Sequence, residues 1–134
     1  MKQLPEKFIE RMKTLLGDSY DEYLDAINSS PVKALRVNTE KITIEDFLKI
    51  NPFKLEKIPY EDTGFYIKNN EKIGNHPYHH AGLIYVQEPG AMTPVASIEI
   101  QKDWKVLDMC SAPGGKSSKV KNYLGESGVL VSNE

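Results

Sequence analysis

Residues 5–28 carry apolar side chains at the spacing of two amphipathic helices. In each series the apolar positions recur every three or four residues, which places them on one helical face. The first series follows Pro5, a residue suited to a first helical turn, and Gly17 interrupts it. The apolar positions are Phe8, Met12 and Leu15 in the first series and Tyr20, Tyr23, Leu24 and Ile27 in the second. We therefore predict two helices and interpret both apolar stripes as core surface.

The next stretch alternates strand-like runs with one helical run. The predicted elements are a strand over 34–38, a helix opened by Thr43 and Asp46 in a capping-box pattern, and strands over 53–58 and 65–68. Within the first strand, alternation directs Arg36 away from Leu35 and Val37. A strand–helix–strand–strand series after two helices predicts a small α+β domain over residues 1–74.

The second half alternates strands and helices. We predict a strand over 83–87, a helix over 91–100, a strand over 104–109, a helix over 116–124 and a strand over 129–132. The apolar run at 104–109 is typical of a parallel strand buried on both faces, and Pro94 is expected in the first turn of its helix. The fold class is therefore α/β, with the first strands of a Rossmann-like domain over 75–134. Because two parallel strands cannot bury both faces alone, we expect the chain to be the N-terminal portion of a longer protein.

Composition limits the classes of partner and the cellular compartments that suit this chain. Seventeen Lys and Arg against nineteen Asp and Glu give a net charge of −2, so the chain lacks the basic footprint of a dedicated nucleic-acid binder. The single cysteine, Cys110, excludes an internal disulfide and suits a reducing compartment. No apolar run approaches the roughly 20 residues that span a bilayer, and the N-terminus lacks the apolar core of a signal peptide. We expect a cytoplasmic protein without a membrane partner.

Three histidines fall in one predicted loop. His76, His79 and His80 have no second cysteine and no acidic cluster beside them, whereas zinc sites use three or four ligands. We therefore expect no metal. The lysines at 116, 119 and 121 are interpreted as a solvated helix face.

The glycine turn between the strand at 104–109 and the following helix is the candidate binding site. Gly114 and Gly115 let a ligand approach the backbone, and the free N–H groups of the helix favour an anionic group. A plain strand-to-helix connection stays open. A phosphate-binding P-loop would need glycine where Cys110 stands, and the dinucleotide fingerprint is absent. An adenosine ligand without a pyrophosphate remains, with S-adenosylmethionine as the prime candidate; Glu134, about 20 residues on, would accept the ribose hydroxyls.

The turn also carries a family resemblance. Residues 107–117, LDMCSAPGGKS, resemble the cofactor loop D-x-[CA]-[AS]-A-P-G-G-K-[TS] of the Sun/Nop family of RNA cytosine-C5 methyltransferases. Residues 87–94, QEPGAMTP, are similar to the family's Q-[ED]-x-x-S-M-x-P segment, with Ala91 in place of the usual serine, and residues 35–39 resemble its L-R-V-N-T element. Residues 64–67 and 79–88 are most similar to the bacterial YebU/RsmF-type branch, which methylates small-subunit ribosomal RNA.

The resemblance implies a cofactor, a substrate and a set of site residues. The cofactor would be S-adenosylmethionine and the substrate small-subunit rRNA, with Arg36 and the N-terminal domain facing the RNA and the protein acting as a monomer. Glu134 would hold the ribose. The cofactor pocket would be lined, chiefly by backbone groups, by Cys110, Ser111, Ala112, Pro113, Gly114, Gly115 and Lys116.

The resemblance also implies where catalysis resides. In the family, a thiolate adds to carbon 6 of cytosine so that carbon 5 can take the methyl group. The cysteines concerned lie in Thr-Cys and Pro-Cys motifs far downstream, and neither motif occurs here. We therefore expect no catalytic residue in this chain, assign Cys110 no nucleophilic role, and predict that the chain alone is inactive. The alternatives are a non-catalytic RNA-binding module and a nucleotide-phosphate binder.

Overall fold

The structure is a computed structural model of the chain, and it describes residues 4–68 and 73–134. It divides into two compact units, Met1–Pro31 and Val32–Glu134. Residues 1–3 and 69–72, which belong to the predicted domain over 1–74, lie outside the described residues.

The first unit contains the two predicted helices. Helix α1 spans Glu6–Leu16 and α2 spans Tyr20–Asn28, with one short 3₁₀ turn between them. Gly17 ends α1 with a φ of 52°, a backbone conformation that glycine adopts without strain, and its N–H donates to Lys13 O. The structure thus confirms both helices and the break at Gly17, which the apolar pattern and the glycine predicted.

The second unit is built on a four-stranded antiparallel sheet. The strands are β1 (Ala34–Val37), β2 (Leu55–Lys57), β3 (Gly64–Ile67) and β4 (Ile84–Val86), in the order β2-β3-β1-β4. One face packs against α3 (Ile44–Ile50) in a core that includes Leu35, Val37 and Phe47, all without solvent exposure. Thr43 caps α3 by accepting a hydrogen bond from Asp46 N, as its sequence pattern predicts.

The sheet extends across the expected domain boundary. We expected the strand near residue 84 to open a second domain over 75–134, but β4 pairs with the middle strand β1, with Arg36 opposite Tyr85. The pairing satisfies the backbone groups on the second edge of β1, which would otherwise be exposed. The compact unit that contains the sheet spans Val32–Glu134, and the domain boundary near residue 74 stays a prediction.

One short helix precedes β4, and the other remaining elements follow it as alternating helices and strands. They are α4 (Pro77–His80, which precedes β4), α5 (Pro89–Ala96), β5 (Lys105–Asp108), α6 (Gly115–Tyr123) and β6 (Val129–Ser132). Strands β5 and β6 form a parallel pair, with Lys105 opposite Val129. Helix α5 begins earlier than expected because the Glu88 carboxylate caps it, accepting hydrogen bonds from Gly90 N and Ala91 N, and it ends at Ala96 instead of residue 100. Pro94 consequently lies in the helix interior and not in its first turn.

The parallel pair is less buried than its apolar sequence suggested. Leu107 is 61% exposed, although its strand was expected to be buried on two faces, and Val131 in the neighbouring strand is 54% exposed. Among the described residues, α6 contacts β6, and Val95 of α5 and Val120 of α6 lie with Val106 and Leu107 around one open cavity. One face of the pair is left uncovered. No helix within residues 4–68 and 73–134 combines the length and apolar character needed to cross a bilayer.

Candidate functional site

The candidate site is the turn that joins β5 to α6. The Ala112–Pro113 peptide bond is cis, and Gly114 N donates to Ser111 O across 2.6 Å. Gly114 has a φ of 95°, a left-handed conformation that strains any residue with a Cβ atom. The proline and glycine predicted to break the strand therefore shape the turn.

Asp108, the last residue of β5, ties the two ends of the turn together. Its Oδ1 atom accepts a hydrogen bond from Cys110 N at 3.3 Å, and its Oδ2 atom accepts one from Ser117 Oγ at 2.5 Å. No separate role was predicted for Asp108. Its position could have indicated one, because a polar residue at the carboxyl end of a parallel strand lies where ligands of open sheets bind.

A cavity of about 240 Å³ opens beside the turn and the N-terminus of α6. The first N–H groups of a helix have no intrahelical acceptor, and Ser118 N is the first in α6 to bond back, to Gly114 O at 2.9 Å. The cavity is lined by Tyr85, Val86, Gln87, Glu88, Ala91, Cys110, Ser111, Ala112, Pro113, Gly115 and Lys116. The structure thus brings six of the seven predicted turn residues to one cavity. The seventh, Gly114, belongs to the turn but does not line the cavity.

The opposite wall of the cavity comes from the segment after β4. This segment belongs to the family-like motif at residues 87–94, for which no individual roles were predicted. Gln87 Nε2 donates to Ala91 O at 3.1 Å. Gln87 Oε1 is buried and has no hydrogen-bond partner among the described residues. Buried polar atoms are normally paired, so an unpaired carbonyl oxygen in this wall can accept a hydrogen bond from a ligand.

Glu134 contacts the turn but does not itself line the cavity. Its Oε2 atom accepts a hydrogen bond from Ala112 N at 2.9 Å, across 22 residues of sequence. The carboxylate lies beyond the end of β6, beside the end of β5, where a ribose acceptor was expected. Its contact with ribose stays a prediction.

Arg36 occupies a different environment from the one expected. We expected it to face RNA, but the residue is 2% exposed and its guanidinium Nη2 donates to Gly115 O at 3.0 Å and to Ser118 Oγ at 2.7 Å. The alternation along β1 was predicted correctly; the sequence did not reveal that α6 covers the face to which Arg36 points. Burial lowers the pKa of Arg36 from its ordinary value.

Lys119 is buried as well, which corrects its interpretation as part of a solvated face. Its ammonium group forms an ion pair with Glu61, and the two side chains are 3% and 0% exposed. Burial lowers the pKa of Lys119 to about 8, and the positive charges of Arg36 and Lys57 add to the effect. Lys121, by contrast, is exposed and pairs with Glu40.

The histidines make contacts of their own, and the rings of His79 and His80 lie 6.1 Å apart between centroids. His76 caps α4 by accepting a hydrogen bond from Tyr78 N through Nδ1, and His79 packs edge-on against Tyr85. Within residues 4–68 and 73–134, no group of three or more histidine, cysteine or acidic side chains is placed to hold a metal ion. Cys110 is an exposed free thiol.

A parallel strand–turn–helix–strand unit with a cavity at the carboxyl end of its first strand is the arrangement of α/β proteins that bind nucleotide-like cofactors. The family model for the N-terminal domain of 16S rRNA methyltransferase RsmF matches residues 4–89. The chain belongs to this family, which confirms the resemblance seen in its motifs.

Curated relatives and a solved structure agree with that assignment. The chain is 37% identical over 142 residues to the ribosomal RNA small subunit methyltransferase F of Photobacterium profundum, a match that covers 98% of this chain and 30% of that protein. The enzyme of the same name from Erwinia tasmaniensis is also 37% identical and covers 97% of this chain. A methyltransferase homologue from Pyrococcus horikoshii superposes with a TM-score of 0.78 at 28% identity, over 96% of this chain and 44% of its own. The chain therefore spans about 30% of the length of these curated relatives.

Proposed function

We propose that the protein carrying this chain methylates carbon 5 of a cytosine in small-subunit rRNA with S-adenosylmethionine, and that this chain supplies the cofactor turn. The observation that carries the proposal is the cavity beside the N-terminus of α6, lined by six residues of the family-like loop. The relatives' names support ribosomal RNA as the substrate class. A cytoplasmic location and a monomeric state belong to the same proposal.

The residues present fit such a cofactor. Free N–H groups at the start of α6 suit a carboxylate, and the unpaired Gln87 Oε1 offers an acceptor to an amino group. Gly115 keeps the wall thin, because a Cβ atom there would lie 3.1 Å from Gln87 Nε2 and 3.2 Å from Tyr85 Cε1. When bound, S-adenosylmethionine supplies an electrophilic methyl group.

The chain's own part in the reaction is binding and orientation. Residues 110–116 would hold the cofactor through backbone groups, Lys116 would place its charge beside the cavity, and Glu134 would accept the ribose hydroxyls. Cys110 would remain a wall residue. The nucleophilic thiolate would come from a Thr-Cys motif outside this sequence, so the chain alone would bind without methylating.

The first prediction concerns Gly115→Asp. An aspartate at this position forces a side chain toward Gln87 and Tyr85 and adds a negative charge to the cavity, so we expect binding of S-adenosylmethionine to fall below detection. Isothermal titration of the wild-type chain and the variant measures it. Gly74→Asp is the matched control, because a Cβ atom at Gly74 meets no atom within 4 Å and the residue does not line the cavity. Unchanged affinity in the Gly115 variant would place the cofactor elsewhere.

A second experiment tests the reaction. The gene is read past the codon for Glu134, and its full product is assayed for methyl transfer into small-subunit rRNA. We expect Thr-Cys and Pro-Cys motifs and radiolabel at carbon 5 of one cytosine. RNA binding without transfer by the full product would instead favour the non-catalytic RNA-binding module.

A further inference from the structure

Three side chains of the four-stranded sheet region hold the candidate turn and the start of α6. Tyr85 on β4 donates its hydroxyl to Pro113 O at 2.9 Å, and Arg36 on β1 donates to Gly115 O and Ser118 Oγ. Glu61, in the turn between β2 and β3, forms the buried ion pair with Lys119. These contacts fall at successive points from Pro113 to Lys119, so the whole entry to the helix rests on the sheet.

Two of the acceptors, Pro113 O and Gly115 O, are backbone carbonyls, so these contacts also orient the peptide units of the turn. A peptide unit is planar, so the orientation of a C=O group fixes the direction of the N–H group on the other side of the same bond. The bond to Pro113 O thereby orients Gly114 N–H, and the bond to Gly115 O orients Lys116 N–H. Lys116 lies in the first turn of α6, where N–H groups are available to a ligand.

The polar contacts between the sheet and α6 are not needed merely to hold the sheet and the helix together. Apolar side chains of similar volume join layers at least as well as buried charges do, because burying a charge carries a desolvation penalty. Among the described residues, Arg36 bears that penalty without a carboxylate partner, and its Nε atom has no hydrogen-bond partner there either. Its hydrogen bonds go instead to the first turn of α6.

We propose that Tyr85 and Arg36 are positioning residues of the cofactor turn: Tyr85 fixes the peptide unit whose Gly114 N–H closes the turn onto Ser111 O, and Arg36 sets the direction of the Lys116 N–H that the turn presents to its ligand. The role of that ligand rests on the proposed function. The positioning itself is a property of the chain and is measurable without a ligand.

Tyr85→Phe is the first test, because it removes one hydroxyl and keeps the ring beside Gly115. Tyr78→Phe is the matched control: its hydroxyl donates to Ile50 O at 3.4 Å, away from the turn. Hydrogen exchange is followed at Gly114 N and Ser118 N, both of which are hydrogen-bonded. We expect roughly tenfold faster exchange at these amides in Tyr85→Phe only, and roughly two- to tenfold weaker binding of S-adenosylhomocysteine, the effect of one lost hydrogen bond.

Arg36→Lys is the second variant, since it replaces a rigid planar guanidinium, whose Nη2 atom serves both acceptors, with a freely rotating ammonium group. We expect faster exchange at Ser118 N with the fold retained. Equal exchange at the turn in Tyr85→Phe and Tyr78→Phe, or an acceleration spread evenly over the chain, would overturn the positioning role. If the turn loosens as expected but the wild-type chain binds no S-adenosylhomocysteine, the positioning stands and the proposed function fails.

Discussion

The buried pair of Lys119 and Glu61 allows a quantitative prediction about Lys119→Met. Methionine nearly matches the volume of lysine and removes the charge, which leaves the Glu61 carboxylate buried without a cation. Removing one partner of a buried ion pair typically costs about 3–5 kcal/mol. Glu61 Oε1 keeps its hydrogen bonds from Thr63 N and Thr63 Oγ1, so the loss is confined to the side that faced Lys119.

Proton uptake sets an upper limit to this loss. A carboxyl group with an ordinary pKa of about 4.3 can be neutralised at pH 7 for about 3.7 kcal/mol, and at pH 5 for about 1 kcal/mol. The folded variant then binds a proton that the unfolded chain lacks, so its free energy of unfolding falls as the pH rises from 5 to 7. The pKa of Lys119, about 8, keeps the lysine charged over this range in the wild-type chain.

Urea denaturation at pH 5 and pH 7 measures the effect through the midpoint at constant slope. We expect a loss of about 3–4 kcal/mol at pH 7 and about 1 kcal/mol at pH 5. Adding Glu61→Gln to the variant should recover most of the loss at pH 7 and little at pH 5. The matched control is Lys49→Met, because Lys49 is 62% exposed and pairs with exposed Glu45; its removal should cost under about 0.5 kcal/mol at both pH values.

Two results would refute this reasoning. A loss at pH 7 no larger than that of Lys49→Met would mean that Glu61 remains solvated or finds another cation. A loss that is the same at pH 5 and pH 7 would show that lost packing, and not an uncompensated charge, accounts for the destabilisation.

Two further predictions concern α3 and its core. Thr43→Ala removes the cap that accepts from Asp46 N and should lower the free energy of unfolding by about 1 kcal/mol, measured by urea denaturation; an unchanged midpoint would show that water replaces the cap. Phe47→Ala empties a fully buried position and should cost about 3–5 kcal/mol, whereas Leu48→Ala, at a 47% exposed neighbour, should cost less than about 1 kcal/mol. Equal losses would place the core on the wrong face of α3.

Local patterns predicted the individual elements well. The capping pair at Thr43 and the glycine at 17 act within a few residues of themselves, and the structure has both helix boundaries where those residues stand. The strand at 129–132 was predicted to the residue, because its apolar run is bounded by Gly128 and by polar residues.

Long-range partners could not be predicted in the same way. Nothing near β4 in the sequence indicates that it pairs with β1, since strand pairing depends on which edge remains open. The burial of Arg36 and Lys119 has the same origin: each looks solvated in its own segment, and each is covered by an element more than fifty residues away. The turn itself was predictable because its shape depends on its own proline and glycines, whereas the wall formed by Gln87 comes from elsewhere in the chain.

The support of the turn by the sheet has a consequence for the order of folding. The contacts to Arg36 and Glu61 join residues that are 58 to 82 positions apart, and contacts of that range form slowly because long loops must close first. All four strands of the sheet precede the turn in the sequence, so on the ribosome they emerge before it. The nascent sheet then acts as a template on which the turn docks. A substitution that only delays the sheet should therefore delay the ligand site by at least as much, although the substituted residue does not touch that site.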